Sequence, residues 1–565
     1  MQKIEAVNDF VVKFANINGS GSASANELFA RAILRMGVPV SPRNIFPSNI
    51  QGLPTWFEVR VTEHGYLGRR GGVDMMVTMN PQTWEQDVRE IDPGGYLFYD
   101  SSKPLPRAKF RSDIHVLGMP LTEICNAAYS DSRERQLLKN IIYVGALTQL
   151  LDIDPGEVEK LFGEQYRGKE KLLDANMQAL NLGRDYARQN LKAIALKVER
   201  RDQVGERIFV DGNSAAALGC VYGGATVCAW YPITPSSSVA EAFMRYTQKL
   251  RLDPVTGGHR YAIVQAEDEL ASIGMVIGAG WNGARAFTAT SGPGISLMTE
   301  FIGLAYFAEI PAVLINVQRG GPSTGMPTRT QQADVLACAY ASHGDTRHVL
   351  LFPEDPYECF EMSAQALDAG ADFGRYLDVD GDGIPYRTYP GTHPTRGGYF
   401  TRGSTKNAYA GYSEAGADYV YNMQRLLRKF ETAKSLVPLP VLTAAKFPAR
   451  FAAIFYGSTS PAMHEALDAL ADQGIYINAL RIRAFPFQNE IADFIAAHSK
   501  VFVLEQNLDG QLTTLLINEA GVNPASLIRV LHYDGTPITA RFITQEIAER
   551  VSRINVRPLR EGMVA

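Results

Sequence analysis

Several short segments of this 565-residue chain carry residues whose types and spacing suit chemistry. One is Tyr231-Pro232-Ile233-Thr234-Pro235-Ser236-Ser237-Ser238. Its two prolines fix φ and push Tyr231 and Thr234 towards extended backbone. Ser238 and Glu241 have the spacing of a capping box, which predicts a helix starting there. A Thr hydroxyl beside a helix N-terminus suits an anionic or carbonyl group; the same residues also read as a rigid turn. Next is Glu267-Asp268-Glu269, between the apolar run YAIVQA and the uncharged stretch 270–284. A carboxyl of this set turned inward would have its pKa raised by desolvation. Turned outward, the set is a surface cap.

Thr288–Gly294 (TATSGPG) permits close backbone approach and enters a helix, and it also reads as a tight turn. Gln318–Thr328 (QRGGPSTGMPT) is a polar loop after the strand-like AVLINV. Arg319 suits a two-pronged grip on a carboxylate, with Ser323 and Thr324 adding neutral hydrogen bonds. Asp380-Gly381-Asp382-Gly383 reads as a turn. Its acids alternate with Asp378 as in a calcium loop, but the closing Glu is missing. It also shares the Gly-Asp-Gly of thiamine-diphosphate enzymes, yet no apolar strand precedes it and Asn407 has no second Asn beside it. The chain has no phosphate-loop motif, no dinucleotide fingerprint after a strand and no H-E-x-x-H.

These segments need a frame. The apolar runs 262–265, 286–290 and 312–317 alternate with helical stretches, which predicts a parallel, doubly wound sheet. Active sites in such sheets lie at the carboxyl ends of strands. Upstream, a strand over 9–17 leads through Gly19-Ser20-Gly21-Ser22 into a helix. That helix has Ala25, Leu28, Phe29, Ala32, Ile33 and Met36 at helical spacing, with Gly37 as its stop. Further strands are expected at 56–62 and 73–79. Charge rises over 151–205, which reads as a helical connector ending in a linker. Residues 374–412 form an irregular loop region, 415–437 a charged helix, and 449–560 a last α/β unit. The expected boundaries are 1–150, 151–205, 206–438 and 439–565.

Composition agrees with a soluble multidomain protein: 46% hydrophobic and 20% charged residues. At about 150 residues per domain the length predicts three or four domains. A net charge of −5 argues against nucleic acid as the main partner. The five cysteines include no C-x-x-C pair, so neither a disulfide framework nor a cluster or zinc site is expected, and no metal ligands are assigned. The uncharged run 213–240 is long enough for a membrane span but is broken by Gly and Pro, so it reads as buried α/β core. The start MQKIEAVNDF has no apolar core of a signal peptide, and a cytoplasmic location without a membrane is expected.

Taken together, YPITPSS (231–237), EDELASIG (267–274), TATSGPG (288–294) and NVQRGGPSTGMPT (316–328) resemble the α subunit of 2-oxoacid:ferredoxin oxidoreductases, in that order. DGIPYRTYPGT and the C-terminal GSTSPAMHEALDAL and VFVLEQNLDGQL also fit that subunit, while INGSGSASANELFARA and GYLGRRGG resemble the family's γ subunit. The chain is thus similar to a γ–α fusion. The resemblance implies a multidomain α/β fold: a γ-type domain, a thiamine-pyrimidine-type doubly wound parallel-sheet domain, and a C-terminal transketolase-C-like α/β domain. The family decarboxylates a 2-oxoacid on thiamine diphosphate, passes electrons through a 4Fe–4S cluster to ferredoxin, and makes an acyl-CoA. Its Mg²⁺–diphosphate motif and cluster cysteines lie on a separate β subunit, which implies a heteromer of α2β2 type.

Carried over by motif, Glu269 would hold N1′ of the aminopyrimidine and share its proton; it is chosen over Glu267 because Gly274 follows at the family's spacing. Thr234 and Arg319 would bind the oxoacid. Tyr231, Pro232, Ile233 and Gly292 would line the cofactor pocket. The γ-like domain would sit over the coenzyme A entrance, with backbone N–H groups of 19–24 available. The GGPSTGMPT loop and the fusion are more typical of 2-oxoglutarate enzymes, whose distal carboxylate would need Ser323, Thr324 or a loop arginine such as Arg387, Arg396 or Arg402. Pyruvate, branched-chain oxoacids, a carboligating thiamine enzyme and a non-catalytic scaffold are the alternatives.

Overall fold

The computed structural model describes residues 3–45, 51–326, 328–368, 376–386, 388–390, 397–399 and 403–556. It divides into two compact units. The first comprises Met1–Phe209 with Pro461–Ala469 and Ile538–Gln545; the second comprises the remainder.

The first unit is built on a six-stranded sheet. Its strands are β1 (Asp9–Ile17), β2 (Val40–Ile45), β3 (Pro54–Thr62), β4 (Val73–Thr78), β5 (Ile91–Asp100) and β6 (His115–Met119), in the order β2-β3-β1-β4-β5-β6. β1 pairs antiparallel with β3 and parallel with β4. It is covered on both faces, which is why DFVVKFANI reads as a nearly continuous apolar run. Helix α1 (Ser22–Arg35) begins where the sequence placed it. The Gly-Ser turn before it needs positive φ at Gly19 and Gly21, a conformation that glycine adopts without a Cβ clash.

The 151–205 segment is helical, as expected, but it is not a free connector. With α2 at Ser132–Leu150, the helices α3 (Pro155–Gln165) and α4 (Glu170–Asn190) belong to the same core as β1 and α1. A Cβ on Gly145 would lie 2.1 Å from the Leu180 carbonyl, and one on Gly183 would lie 1.9 Å from that of Ile142. These two glycines let α2 and α4 touch backbone to backbone. The charge of 151–205 is the solvent face of packed helices, and the first unit runs on to residue 209, close to the expected boundary at 205. Ion pairs tie the two C-terminal stretches into this unit: Arg60 to Glu465 at 2.8 Å and Arg541 to Asp92 at 2.7 Å.

The second unit holds the predicted parallel sheet. After α5 (Gly212–Tyr222) come β7 (Val227–Trp230), α6 (Ser237–Leu250), β8 (Ala262–Gln265), α7 (Glu269–Trp281), β9 (Ala286–Thr290), α8 (Gly292–Ala308) and β10 (Val313–Asn316). The strand order is β8-β7-β9-β10, and every pairing is parallel. Phe243 packs edge-on to Phe287 in one apolar cluster, while Ile273, Val276, Met298 and Ile302 build another. The capping box expected at Ser238 does not form. Helix α6 begins at Ser237, and the Ser238 hydroxyl accepts from Asn213 Nδ2 at 2.8 Å and lies 3.4 Å from the Pro235 carbonyl, while Glu241 is exposed. A neighbouring helix has taken the hydroxyl that the local pattern assigned to the cap.

Helix α9 (Gly416–Ala433) is the expected charged helix. The Asp380–Gly383 segment is a turn, closed by the Gly383 N–H on Asp378 and the Ile384 N–H on Asp382. The C-terminal sheet comprises β11 (Val441–Thr443), β12 (Phe451–Tyr456), β13 (Ile477–Ile482), β14 (Lys500–Glu505) and β15 (Leu527–Leu531), in the order β11-β13-β12-β14-β15. Helix α10 (Ser460–Asp472) follows β12 and α11 (Gln511–Ala520) follows β14. The uncharged run 213–240 is a helix, a strand and a loop, and no helix among the described residues is long and apolar enough to cross a membrane.

Candidate active site

The four strands β7–β10 all run the same way, so their carboxyl ends share one edge of the sheet. Each of the four motifs follows directly from one of those ends: 231–238 after Trp230, 267–269 after Gln265, 291–294 after Thr290, and 318–328 after Asn316. Segments spread over about a hundred residues thus meet at one edge, the usual ligand position in such a sheet.

Helix phase separates the three carboxylates. Asp268 is the N-cap of α7 and accepts the Ala271 N–H at 2.6 Å. That cap makes Glu269 the first helical residue and turns it inward. Glu267 and Asp268 are exposed, whereas Glu269 is only 7% exposed. Its carboxylate has no hydrogen-bond or ion-pair partner among the described residues. The side chain is thus mostly covered while its carboxylate is left open to a donor from outside the chain.

Around it, the Thr288, Thr290 and Ser291 hydroxyls are buried without partners. Gly294, in the first turn of α8, leaves the room that Glu269 occupies. A Cβ there would lie 1.9 Å from Thr290 Oγ1 and 3.0 Å from Glu269 Cγ. Gly294→Ala is therefore expected to displace Thr290 and Glu269; with Glu269 in the role that the family resemblance implies, oxoacid turnover with the β subunit falls about 10²-fold while the fold is retained by circular dichroism. Wild-type turnover in that variant would mean that the close contact is unimportant.

Arg319 joins two motifs. It is 7% exposed; Nη1 donates to the Thr234 carbonyl at 2.7 Å and Nη2 to that of Ser323 at 3.2 Å. A guanidinium carries five N–H donors, so three remain, including the buried, unpartnered Nε. Ser323 and Thr324 are exposed at the loop tip, Tyr231 and Pro232 are exposed, and Thr234 and Ile233 are half-buried. The Ile233 carbonyl winds its loop by accepting the Ser236 and Ser237 N–H groups. Gly292 lies against a residue that the motif reading missed: a Cβ there would be 2.7 Å from Asp334 Oδ1. Burial raises the Asp334 pKa, partly offset by Asn316 Nδ2, which donates to it at 3.0 Å. No ion pair links Glu269 to Arg319 among the described residues. Arg387, Arg396 and Arg402 lie outside the described residues.

The first unit has a cavity of its own, of about 360 Å³, beside the Gly-Ser turn. Asn16, Ser20, Arg135, Lys139 and Asn140 help to line it. Asn16 is 2% exposed and both polar atoms of its amide lack partners. Asn140 donates to the Ser20 carbonyl at 2.8 Å, holding the turn in place.

Comparisons with known proteins fit this arrangement. Residues 218–374 match the family described as pyruvate flavodoxin/ferredoxin oxidoreductase, thiamine diP-bdg, and residues 11–186 match the family described as pyruvate ferredoxin/flavodoxin oxidoreductase. The α subunit of 2-oxoacid:ferredoxin oxidoreductase 2 of Aeropyrum pernix is 28% identical, over 95% of this chain and 96% of that protein. The 2-oxoglutarate synthase subunit KorA of Methanothermobacter thermautotrophicus is 43% identical over 32% of this chain and 45% of its own length. Among solved structures, 2-oxoglutarate:ferredoxin oxidoreductase from Magnetococcus marinus, with 2-oxoglutarate, coenzyme A and succinyl-CoA bound, superposes with a TM-score of 0.86. It is 26% identical and the alignment covers 96% of this chain and 99% of that one. With the motif order, the parallel sheet and the shared architecture in agreement, this chain belongs to the 2-oxoacid:ferredoxin oxidoreductase family, as an α subunit.

Proposed function

We propose that this chain, joined by a β subunit, oxidatively decarboxylates 2-oxoglutarate to succinyl-CoA and CO₂ with reduction of ferredoxin, or runs the reverse. The observation that carries this reading is the inward-turned Glu269, whose carboxylate has no partner among the described residues, at the shared edge of the parallel sheet. Its surroundings fit the pyrimidine half of thiamine diphosphate. They offer one carboxylate, the unpaired hydroxyls of Thr290 and Ser291, and the apolar rim of Tyr231, Pro232 and Ile233. Thiamine diphosphate, when bound, supplies the electron sink for decarboxylation.

The chain's own residues orient and hold protons. Glu269 would hold N1′ of the aminopyrimidine and give it a group to exchange a proton with. The Thr234 hydroxyl and the free N–H groups of Arg319 bind the oxoacid carbonyl or carboxylate, with the guanidinium kept at the site by its two backbone bonds. Ser323 and Thr324, exposed on the same loop, reach the distal carboxylate. In the first unit, Asn16, Lys139 and Ser20 accommodate coenzyme A, with Lys139 facing its phosphates.

The β subunit is assigned the Mg²⁺ and 4Fe–4S sites, and an α2β2-type heteromer is the expected assembly. Its docking face is supported by apolar side chains left in solvent on β8, α7 and α8: Val264, Leu270, Met275, Leu297 and Leu304. The cysteines are free and burial raises those that titrate here, which suits a reducing cytoplasm.

The deciding test is kcat/KM for 2-oxoglutarate, pyruvate and 2-oxoisovalerate in the assembled enzyme, read as viologen reduction. A preference for 2-oxoglutarate of about tenfold or more is expected. A pyruvate preference overturns the substrate assignment, and turnover by this chain alone overturns the division of labour between subunits.

A further inference from the structure

We propose that Gln332, outside every motif, is the positioning residue of the oxoacid site: it fixes the loop bearing Ser323 and Thr324 to the carboxyl ends of β12 and β14. This inference rests on the oxoacid reading given above. Gln332 is 3% exposed. Its Oε1 accepts from the Gln506 N–H and from Thr459 Oγ1, both at 3.1 Å. Its Nε2 donates to the Tyr456 carbonyl at 3.1 Å and to Ser458 Oγ at 3.3 Å. Two donors and two acceptor lone pairs are the full capacity of an amide. The backbone adds more: the Gln332 N–H donates to the Gln506 carbonyl at 2.9 Å, and its carbonyl accepts from Asn507 Nδ2 at 3.0 Å.

The anchor itself is rigid. Asn507 also donates to Glu505, a carboxylate with no solvent exposure. Glu505 accepts the N–H groups of Leu512 and Thr513 and the Thr513 hydroxyl at the start of α11. Towards the other end of the loop, Arg319 bonds the Thr234 carbonyl and Gln318 Oε1 accepts the Asp334 N–H at 3.0 Å. Between these anchors the loop bonds itself: Met326 N–H to the Gly320 carbonyl, Gly320 N–H to that of Arg329, and Gly325 N–H to that of Pro322. Arg319 is pinned separately on the Thr234 carbonyl, so the Gln332 anchor decides where the distal part of the loop, with Ser323 and Thr324, sits. A side chain that uses every donor and acceptor in a buried site holds one geometry, because any displacement leaves several groups unpaired.

The test uses the assembled enzyme and two substrates of similar backbone, 2-oxoglutarate and 2-oxobutyrate, which lacks the distal carboxylate. Gln332→Met keeps the size and removes the amide. The ratio of the two kcat/KM values should fall about tenfold, through KM for 2-oxoglutarate, with kcat on saturating 2-oxobutyrate within about twofold of wild type. Thr459→Val, which deletes only one of the amide's four partners, should give a smaller fall in the same ratio and serves if the Met variant does not fold. An unchanged ratio in a folded variant, or a parallel loss on both substrates, overturns the positioning role. A wild-type enzyme inactive on every oxoacid overturns the parent reading instead, and the inference with it.

Discussion

Glu269→Gln in the assembled enzyme should lower oxoacid-dependent viologen reduction by about 10²- to 10⁴-fold, the range of a lost general acid–base group. The substitution keeps the length and burial of the side chain, so the first turn of α7, capped by Asp268, should persist. Lost is the ability to take a proton. An amide can still accept a hydrogen bond, so binding of the cofactor should suffer less than turnover. The measurement is therefore paired: turnover at saturating thiamine diphosphate, and cofactor affinity by titration of the complex. A rate within a few-fold of wild type would favour a scaffold that binds partners without chemistry. Glu267→Gln, at an exposed neighbour, should leave turnover unchanged and is the control.

The second large effect concerns stability. Arg425→Met should lower the unfolding temperature of the chain by roughly 10 °C, equivalent to about 3–5 kcal/mol for a broken buried ion pair. Arg425 on α9 is fully buried and grips Glu309, which follows α8 and is 4% exposed at its side chain. Lys429 adds a contact with Glu309 at 2.8 Å. Burial pushes the Glu309 carboxyl up, but Lys429, Arg425 and Lys406 outweigh it and hold it at about 2. A carboxyl depressed in the folded state contributes stability that is fully present above its ordinary value of 4.5 and is lost as pH falls through about 2. The gap between wild type and Arg425→Met should therefore be widest near neutral pH and narrow on acidification. Thermal melts across that range check both the size and the sign. A constant gap would mean that Glu309 is not the group that Arg425 compensates.

Much of this molecule is legible along the chain because strands and helices leave local periods. DFVVKFANI, AIVQ and AFTAT are strands where apolar runs predicted them, and α1 stops at the glycine expected to stop it. The 2-oxoacid oxidoreductase reading was also present in the four motifs and their order. Local pattern misled where a distant group competed. Ser238 has the capping spacing, yet Asn213 takes its hydroxyl. Residues 151–205 are charged enough to resemble a linker, yet Gly145 and Gly183 allow their helices to join the core.

By itself, the sequence determined most of the elements, that each motif follows a strand, and that the five cysteines include no C-x-x-C pair. Those are consequences of periodicity, turn chemistry and residue inventory, all local. Only the tertiary structure decided the strand order β8-β7-β9-β10, which sets the loops after these parallel strands side by side at one edge. It also covered Glu269 while leaving Glu267 and Asp268 exposed, through the phase of α7, and it placed Asp334 against Gly292 and Gln332 against the ends of β12 and β14. Neither carries a motif, because the partners that give them meaning, Gly292 at one and β12 and β14 at the other, are brought near only by folding.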